Sequence, residues 1–384
     1  MHKTIYRRET AENLSSAIVY WQLLCGTEIG ETMGWEDGVR RVEPYVPGEQ
    51  PKRTDIIKLN TNECPYPPAP EVKAALAELD YETFRLYPDP DCGELVGALA
   101  DYYGVSKKQV FVGIGSDDVL AMAFLTFFGT GKPILFPDIT YSFYDVWANL
   151  FRIPYEQIPL DDAFEIRTQD YIGRDCGGIV IANPNAPTGV LLPLSELEKI
   201  ISANRDVVVI VDEAYIDFGG ESALPLLEKY DNLMVVQTFS KSRAMAGMRI
   251  GFALGNEKLI SYLSDCRFSF NSYPMNRPAL AAGAAAIKND RYFKETCGRI
   301  IDTRERVKEE LKELGFSFTD SMTNFVFARH EKVPAKEIFG MLKEKGIYVR
   351  YFAKPRIDDH LRITIGTDAE MDRLMAVLRE YLVG

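Results

Sequence analysis

Histidine is scarce in this chain, with three in 384 residues (His2, His330 and His360), and the six cysteines (25, 64, 92, 176, 266 and 297) form no CxxC pair. Neither set has the close spacing of a metal-binding cluster, so a structural or catalytic metal is not expected. The scattered cysteines fit a reducing compartment rather than a disulfide frame, and a cytoplasmic location is expected. Positive charge is also in deficit. Lys and Arg number 44 against 56 Asp and Glu, a formal charge of −12. That balance argues against a nucleic-acid-binding face or an anionic membrane surface, both of which need a net basic patch, while a local basic pocket for one small anion stays open. Ala17 to Cys25 is an apolar stretch following Lys3, Arg7 and Arg8, yet Gln22 interrupts it and it is too short to span a bilayer. No A-x-A cleavage site follows, and Leu24 stands where a lipoprotein cysteine is normally preceded by a small residue. Residues 1–32 are therefore read as an N-terminal extension of unknown role, an extra helix or an upstream start, with Met33 as the ordinary beginning of the domain. Internal repeats and low-complexity segments are absent, which excludes a solenoid or array.

What is present is the composition of a soluble globular protein, 46% hydrophobic and 26% charged, long enough for two domains. Between Val110 and Gly255 short apolar runs alternate with amphipathic stretches, the pattern of an α/β fold with crossover helices about a mostly parallel sheet. Strands are expected at Val110 to Val112, Pro133 to Phe136, Gly178 to Ala182, Val207 to Asp212, Leu233 to Thr238 and Ile250 to Leu254. Beyond Arg299 the pattern becomes that of a smaller α+β domain. It begins with a charged helix from Ile300 to Leu314, followed by a strand at Asn324 to Ala328 and a helix from Ala335 to Lys345. Strands at Tyr348 to Tyr351 and Leu361 to Ile365 and a final helix complete it. The expected division is an arm over 33–60 joining the small domain, a large domain over 61–290 and a small one over 291–384.

The most informative residue is Lys241, within Thr238-Phe239-Ser240-Lys241-Ser242-Arg243, with Arg249 further on and Asp212-Glu213-Ala214-Tyr215 at the end of an apolar run. A lysine amine that condenses with an aldehyde, a carboxylate that keeps a pyridine nitrogen protonated, a phenol and a guanidinium are together what pyridoxal 5'-phosphate (PLP) requires. Asp212 is the candidate for the ring nitrogen and Tyr215, three residues on, for the 3'-oxygen. Arg249, Ser240 and Thr238 supply a guanidinium and hydroxyls for the phosphate, whose oxygens are best held by charge-assisted bonds.

Other motifs are weaker. Gly113-Ile114-Gly115-Ser116-Asp117-Asp118 follows a strand and opens a helix, so the backbone N–H groups at Ser116 and Asp117 can cradle a phosphate, although an ordinary helix cap reads the same way and Asp118 stands where a dinucleotide fingerprint has its third glycine. Asn183 to Gly189 is either a turn or a loop at the ligand-binding edge of the sheet. Tyr141 could lie on a planar cofactor or pack in the core. Arg350 and Arg362 alternate with apolar neighbours, which fits either a solvent-facing strand or a fork aimed at a carboxylate.

Taken together these residues resemble the fold-type I PLP-dependent aminotransferases, and within them are similar to the histidinol-phosphate aminotransferases, from about Trp35 to Leu382. The segments that carry the resemblance include Val42 to Gly48, Lys58 to Glu63, Leu86 to Asp89, Asp212 to Phe218 and Ser240 to Gly251. It implies a mostly parallel seven-stranded sheet and a homodimer. Lys241 would then be the catalytic lysine, Asp212 and Tyr215 would hold the ring, and Tyr141 would stack on it. Ser116, Asp117, Ser240 and Arg249 would bind the phosphate, with Tyr87 reaching the neighbouring subunit's site. Arg362 would take the substrate carboxylate, while Tyr45 and Arg350 would meet a substrate phosphate. The implied partners are small amino-acid substrates and 2-oxoglutarate. One departure stands out: the family often has asparagine directly before Pro-Thr-Gly, where this chain has Ala186, and Asn185 is the expected substitute at the 3'-oxygen. An aromatic amino acid aminotransferase, a phosphothreonine decarboxylase and a catalytically silent PLP-fold binding protein share the fold and remain open.

Overall fold

A computed structural model describes residues 34–53 and 55–383. The N-terminal extension, with the export and lipid-anchor readings weighed for it, lies outside the described residues. The chain divides into two units at Glu43 and Pro44. The described part of the first holds one 3-10 turn, Trp35–Gly38, entered by the Gly34 N–H donating to Asp37 Oδ2 at 2.7 Å.

In the second unit the strands are, in chain order, β1 (Ile57–Lys58), β2 (Val110–Ile114), β3 (Ile134–Pro137), β4 (Tyr155–Ile158), β5 (Gly178–Ala182), β6 (Val209–Asp212), β7 (Leu233–Thr238), β8 (Ile250–Gly255), β9 (Phe316–Phe318), β10 (Phe325–His330), β11 (Ile347–Tyr348), β12 (Arg350–Tyr351) and β13 (Leu361–Thr364). Seven of them form one sheet in the order β2-β8-β7-β6-β5-β3-β4. All run parallel except β8, which is antiparallel to both β2 and β7. Strands β5, β6 and β7 are buried along their whole length, as their Val/Ile-rich sequences suit for strands covered on both faces. One face packs on Leu95, Leu99, Leu197 and Ile201, the other on Phe124, Tyr144, Trp147 and Leu263.

The sheet thus has the mostly parallel character expected of fold-type I. Strand β4 carries no sequence signal, because Tyr-Glu-Gln-Ile at a sheet edge is half polar and has no apolar run. The expected strand from Val207 begins at Val209.

A second, antiparallel sheet has the order β12-β13-β10-β9, and β1 pairs with β11 in parallel. Helices Asp290–Glu313, Ala335–Glu344 and Asp368–Val383 pack on it through Ile300, Val307, Leu311, Ile338, Leu342, Leu374 and Leu378. The first of these helices starts ten residues before the expected Ile300, since the Asn289 side chain caps it by accepting from Tyr292 N at 3.1 Å.

The reversed strand has a functional consequence. Because β8 is antiparallel, its first residues lie at the same edge as the carboxyl ends of β6, β7 and β2, with Thr238 opposite Gly251 and Ile114 opposite Ile250. Arg249, just before β8, is brought beside Ser240 and the start of the helix Gly115–Phe127. A glycine is required at 251, where a Cβ would stand 2.2 Å from the Ser116 nitrogen. Gly115 has φ +80, and a Cβ there would fall 2.4 Å from Arg249 Nη2.

Candidate active site

One cavity at this edge is lined by Thr61, Glu63, Ser116, Asp117, Tyr141, Ala186, Asp212, Tyr215, Ser240, Lys241 and Arg249, among others. The lysine, the carboxylate, the two tyrosines and the phosphate-binding residues expected from the sequence therefore meet around a single space. Lys241 follows β7, and its Nζ donates to the Thr61 carbonyl at 3.2 Å and lies 5.7 Å from the centre of the Tyr215 ring.

Asp212 closes β6 and is buried. Its Oδ2 accepts from the Tyr144 hydroxyl at 2.8 Å and its Oδ1 from Ala214 N at 3.2 Å. Both donors are neutral, and no ion pair to Asp212 is found among the described residues. Burial pushes its carboxyl up to about 6, against the pull of those two hydrogen bonds. A buried carboxylate with neutral partners facing a cavity is the arrangement that a protonated ring nitrogen would complete.

Opposite lies an anion cradle. The helix Gly115–Phe127 aims its first N–H groups at the cavity, where its dipole favours negative charge. Thr238 Oγ1 donates to Ser240 Oγ at 3.0 Å and receives Ser240 N at 3.1 Å, fixing that hydroxyl. Arg249 Nη1 donates to Ser240 Oγ at 3.4 Å and Nη2 to Asp117 Oδ2 at 3.0 Å. The Tyr141 hydroxyl donates to Asp117 Oδ1 at 2.7 Å, which holds its ring at the cavity wall. The lysine, the cation-seeking carboxylate, the phenol and the cradle make a donor set that PLP fits.

Arg362, on β13, donates through Nη2 to the Asn60 carbonyl at 3.0 Å, while its Nε is buried without a hydrogen-bond partner. Arg350 of β12 stands directly opposite it in the antiparallel register. Like charges facing each other in a sheet repel, and a bound anion turns that repulsion into attraction. The Tyr45 ring stacks on Phe143 at 4.1 Å, and Phe143 in turn meets Tyr141 at 5.6 Å.

Five expected residues, Tyr45, Arg350, Arg362, Asn185 and Tyr87, are not among those lining this cavity. Asn185 is buried beside it, but its Nδ2 donates to the Ile139 carbonyl and to Thr188 Oγ1, both at 2.9 Å, and its Oδ1 accepts from Thr140 at 2.7 Å. Both amide hydrogens are committed to the loop, so the expected contact with a cofactor oxygen is not available in this arrangement. Ala186, which does line the cavity, has no polar side-chain group to offer. Tyr87 is 77% exposed, with its ring stacked on Tyr273 at 4.7 Å.

The sequence reading overlooked Asn62, whose Nδ2 donates to the Tyr215 hydroxyl at 2.9 Å, and Tyr144 beneath Asp212. The residues concerned are 153 and 68 apart in the chain, and no local pattern announces either bond.

A family model for aminotransferase class I and II matches residues 54–378. The chain is 52% identical over 350 residues to the histidinol-phosphate aminotransferase of Lactococcus lactis subsp. cremoris (strain MG1363), covering 91% of this chain and 98% of that one. It is 54% identical over 347 residues to the histidinol-phosphate aminotransferase of Marinomonas sp. (strain MWYL1), covering 90% and 98%. Among solved structures it superposes with TM-score 0.76 on the histidinol-phosphate aminotransferase from Sinorhizobium meliloti in complex with pyridoxal-5'-phosphate, at 26% identity over 84% of this chain and 91% of that one. The L-threonine-O-3-phosphate decarboxylase from Porphyromonas gingivalis, 21% identical with TM-score 0.71 over 86% and 100%, shares the fold. The chain belongs to the aminotransferase class I and II family.

Proposed function

We propose that this enzyme is a PLP-dependent aminotransferase that exchanges an amino group between L-histidinol phosphate and 2-oxoglutarate, yielding imidazole acetol phosphate and L-glutamate, in histidine biosynthesis. The observation that carries the reaction is the cavity in which Lys241 and Asp212 meet an anion cradle. The substrate rests on identity above one half with histidinol-phosphate aminotransferases over nine-tenths of the chain.

PLP, when bound, withdraws electrons from the carbon bearing the exchanged amine. In this reading Lys241 would hold the cofactor through its Nζ and, as a free amine, would accept the proton lost by the substrate α-carbon on Nζ and pass it to the carbon that gains hydrogen. Asp212 keeps the ring nitrogen protonated, Tyr215 bonds the 3'-oxygen and Tyr141 covers the ring face. Ser116, Asp117, Ser240 and Arg249 hold the phosphate. Arg362 grips the carboxylate of glutamate, and Arg350 with Tyr45 meets the phosphate of histidinol phosphate. One pair of guanidiniums serving two anions in turn suits a ping-pong reaction, in which the two amino donors occupy the same space at different times.

A half-reaction tests the substrate. With the PLP-loaded protein, L-histidinol phosphate should convert the bound cofactor to its amino form at least about 10²-fold faster, per unit concentration, than L-phenylalanine or O-phospho-L-threonine, a spread that differential polar recognition readily supplies. Equal or faster conversion by phenylalanine would reassign the protein as an aromatic aminotransferase. Release of carbon dioxide from phosphothreonine would make it a decarboxylase.

Assembly as a homodimer is part of the same proposal, with Tyr87 reaching the partner's phosphate site. In support, Tyr81, Tyr87 and Phe270 are each at least 70% exposed, aromatic surface that a partner subunit would cover. Light scattering should therefore give twice the chain mass of 43.4 kDa. A single-chain mass at micromolar concentration would sink the shared site. We place the protein in the cytoplasm, in keeping with described helices none of which is long and apolar enough to cross a membrane. We also retain the division into an arm over 33–60, a large domain over 61–290 and a small one over 291–384.

A further inference from the structure

Asn62 occupies a constrained place. It is buried, its backbone has φ 57, and it lies between Tyr215 and β13. Asparagine is one of the few residues that tolerates this left-handed conformation. Its backbone N–H donates to Thr364 Oγ1 at 3.1 Å, the Thr364 hydroxyl donates to its Oδ1 at 3.0 Å, and its carbonyl receives Asn324 Nδ2 at 3.0 Å.

These bonds determine which way the amide faces. The Thr364 oxygen already receives the Asn62 N–H, so its own single hydrogen goes to Oδ1. In the flipped orientation the Thr364 hydroxyl would face two donors and its hydrogen would lose that acceptor. The Nδ2 group is thereby turned to Tyr215, donating to the phenol oxygen at 2.9 Å. A hydroxyl carries one hydrogen. With its oxygen already accepting from Asn62, the Tyr215 hydrogen cannot point back at that residue and is left to face the cavity the ring lines.

We propose that Asn62 is a positioning residue that directs the Tyr215 hydrogen into the cavity, toward the ring oxygen of the cofactor. The inference rests on the PLP reading above. The ionisable groups that share the cavity with that phenol or face it are Lys241 over its ring, Glu63, Asp117, Tyr141, Asp212 and Arg249 on the cavity wall, Tyr144 bonded to Asp212, and Arg362 on β13. None of them is altered by substitution at Asn62.

Asn62→Asp keeps the size and the left-handed tolerance but replaces the donor with an acceptor, which draws the phenol hydrogen away from the cavity. A ring oxygen that loses its donor holds its negative charge less well, so the midpoint of the bound cofactor's visible absorbance should move to higher pH, by about 1 on the pH scale. Dissociation of PLP should become about tenfold easier. Asn62→Ala removes the donor without capturing the hydrogen and should move the midpoint less, although it discards more bonds and lowers the melting temperature more. In a Tyr215→Phe background, Asn62→Asp should move the midpoint by less than half as much as in the parent, because the phenol that transmits the effect is missing.

A larger midpoint change for the alanine variant than for the aspartate variant would mean that Asn62 serves packing alone. The same change with and without the phenol would mean a direct charge effect, and either result overturns the proposal. If the parent protein mixed with PLP shows no visible absorbance, it is the cofactor reading that fails.

Discussion

Replacement of Lys241 by alanine is expected to lower transamination by at least about 10⁴-fold while leaving the protein folded. In the proposed reading this one amine both secures the cofactor and moves the substrate proton, and positioned proton transfer alone is worth roughly 10²–10⁴-fold. Its contribution to folding is small by comparison. The amine lines a cavity, and its bond to Thr61 O is long at 3.2 Å. Loss of such a bond changes stability by about 1 kcal/mol. Steady-state turnover measured beside a thermal melt decides the matter. Activity within tenfold of the parent would remove Lys241 from the chemistry, and a collapsed melt would show that the residue holds the fold instead.

Asp212→Asn should have opposite effects on stability and turnover. Burial raises the Asp212 carboxyl to about 6, above the ordinary aspartate value of about 3.9. Between about pH 4 and 6 the cofactor-free folded protein therefore holds a proton that the unfolded chain has released. Stability from this group is fully present below pH 4 and is lost as pH rises through 6. At pH 8 the buried charge costs on the order of 3 kcal/mol, because every tenfold gain in proton affinity on folding corresponds to about 1.4 kcal/mol. Asparagine has no such charge, so the cofactor-free variant should melt at higher temperature than the parent at pH 8, and the difference should vanish near pH 4. Turnover should fall about 10²–10³-fold, as when one electrostatic partner is taken from a catalytic site. Melts of both cofactor-free proteins across this range, with kcat at pH 8, test the claim. An asparagine variant no more stable at pH 8 would mean that the carboxylate is already compensated. Full turnover would mean that it has no part in the reaction. Glu213, also buried and pushed up to about 7, adds a cost of the same sign and is the natural control, because its bonds run to Ala223, Ser222 and Gln237 rather than to the cavity.

This trade explains a feature of the site. A carboxylate is stable in such a place only once a cation meets it, so the cavity is poised for a positively charged partner at the expense of the empty protein. Strain of this kind is stored at functional sites and offset by the rest of the fold.

Much of this was legible in the chain itself. Asp212, Tyr215, Ser240 and Lys241 lie in two short segments, each directly after or at the end of a buried apolar strand, so a residue's place in the segment already assigns it to the ligand-binding edge of the sheet, whereas Arg249 reaches that edge only because β8 runs antiparallel. The buried strands announce themselves because a parallel strand covered on both faces must be apolar throughout. Only the tertiary structure decided the rest. The half-polar edge strand β4 carries no such signal. The turn of Asn185 away from the cavity depends on the path of a loop and on its partners Ile139, Thr140 and Thr188. The pairing of Arg350 with Arg362 depends on strand register, since a slip of one residue would send a side chain to the other face. The hydrogen bonds of Tyr144 to Asp212 and of Asn62 to Tyr215 join groups distant in sequence. Apolar periodicity and local motifs are short-range properties written residue by residue. The direction of a hydroxyl hydrogen or the company of a buried charge depends on which distant residue arrives beside it, and that is decided when the sheets and loops pack.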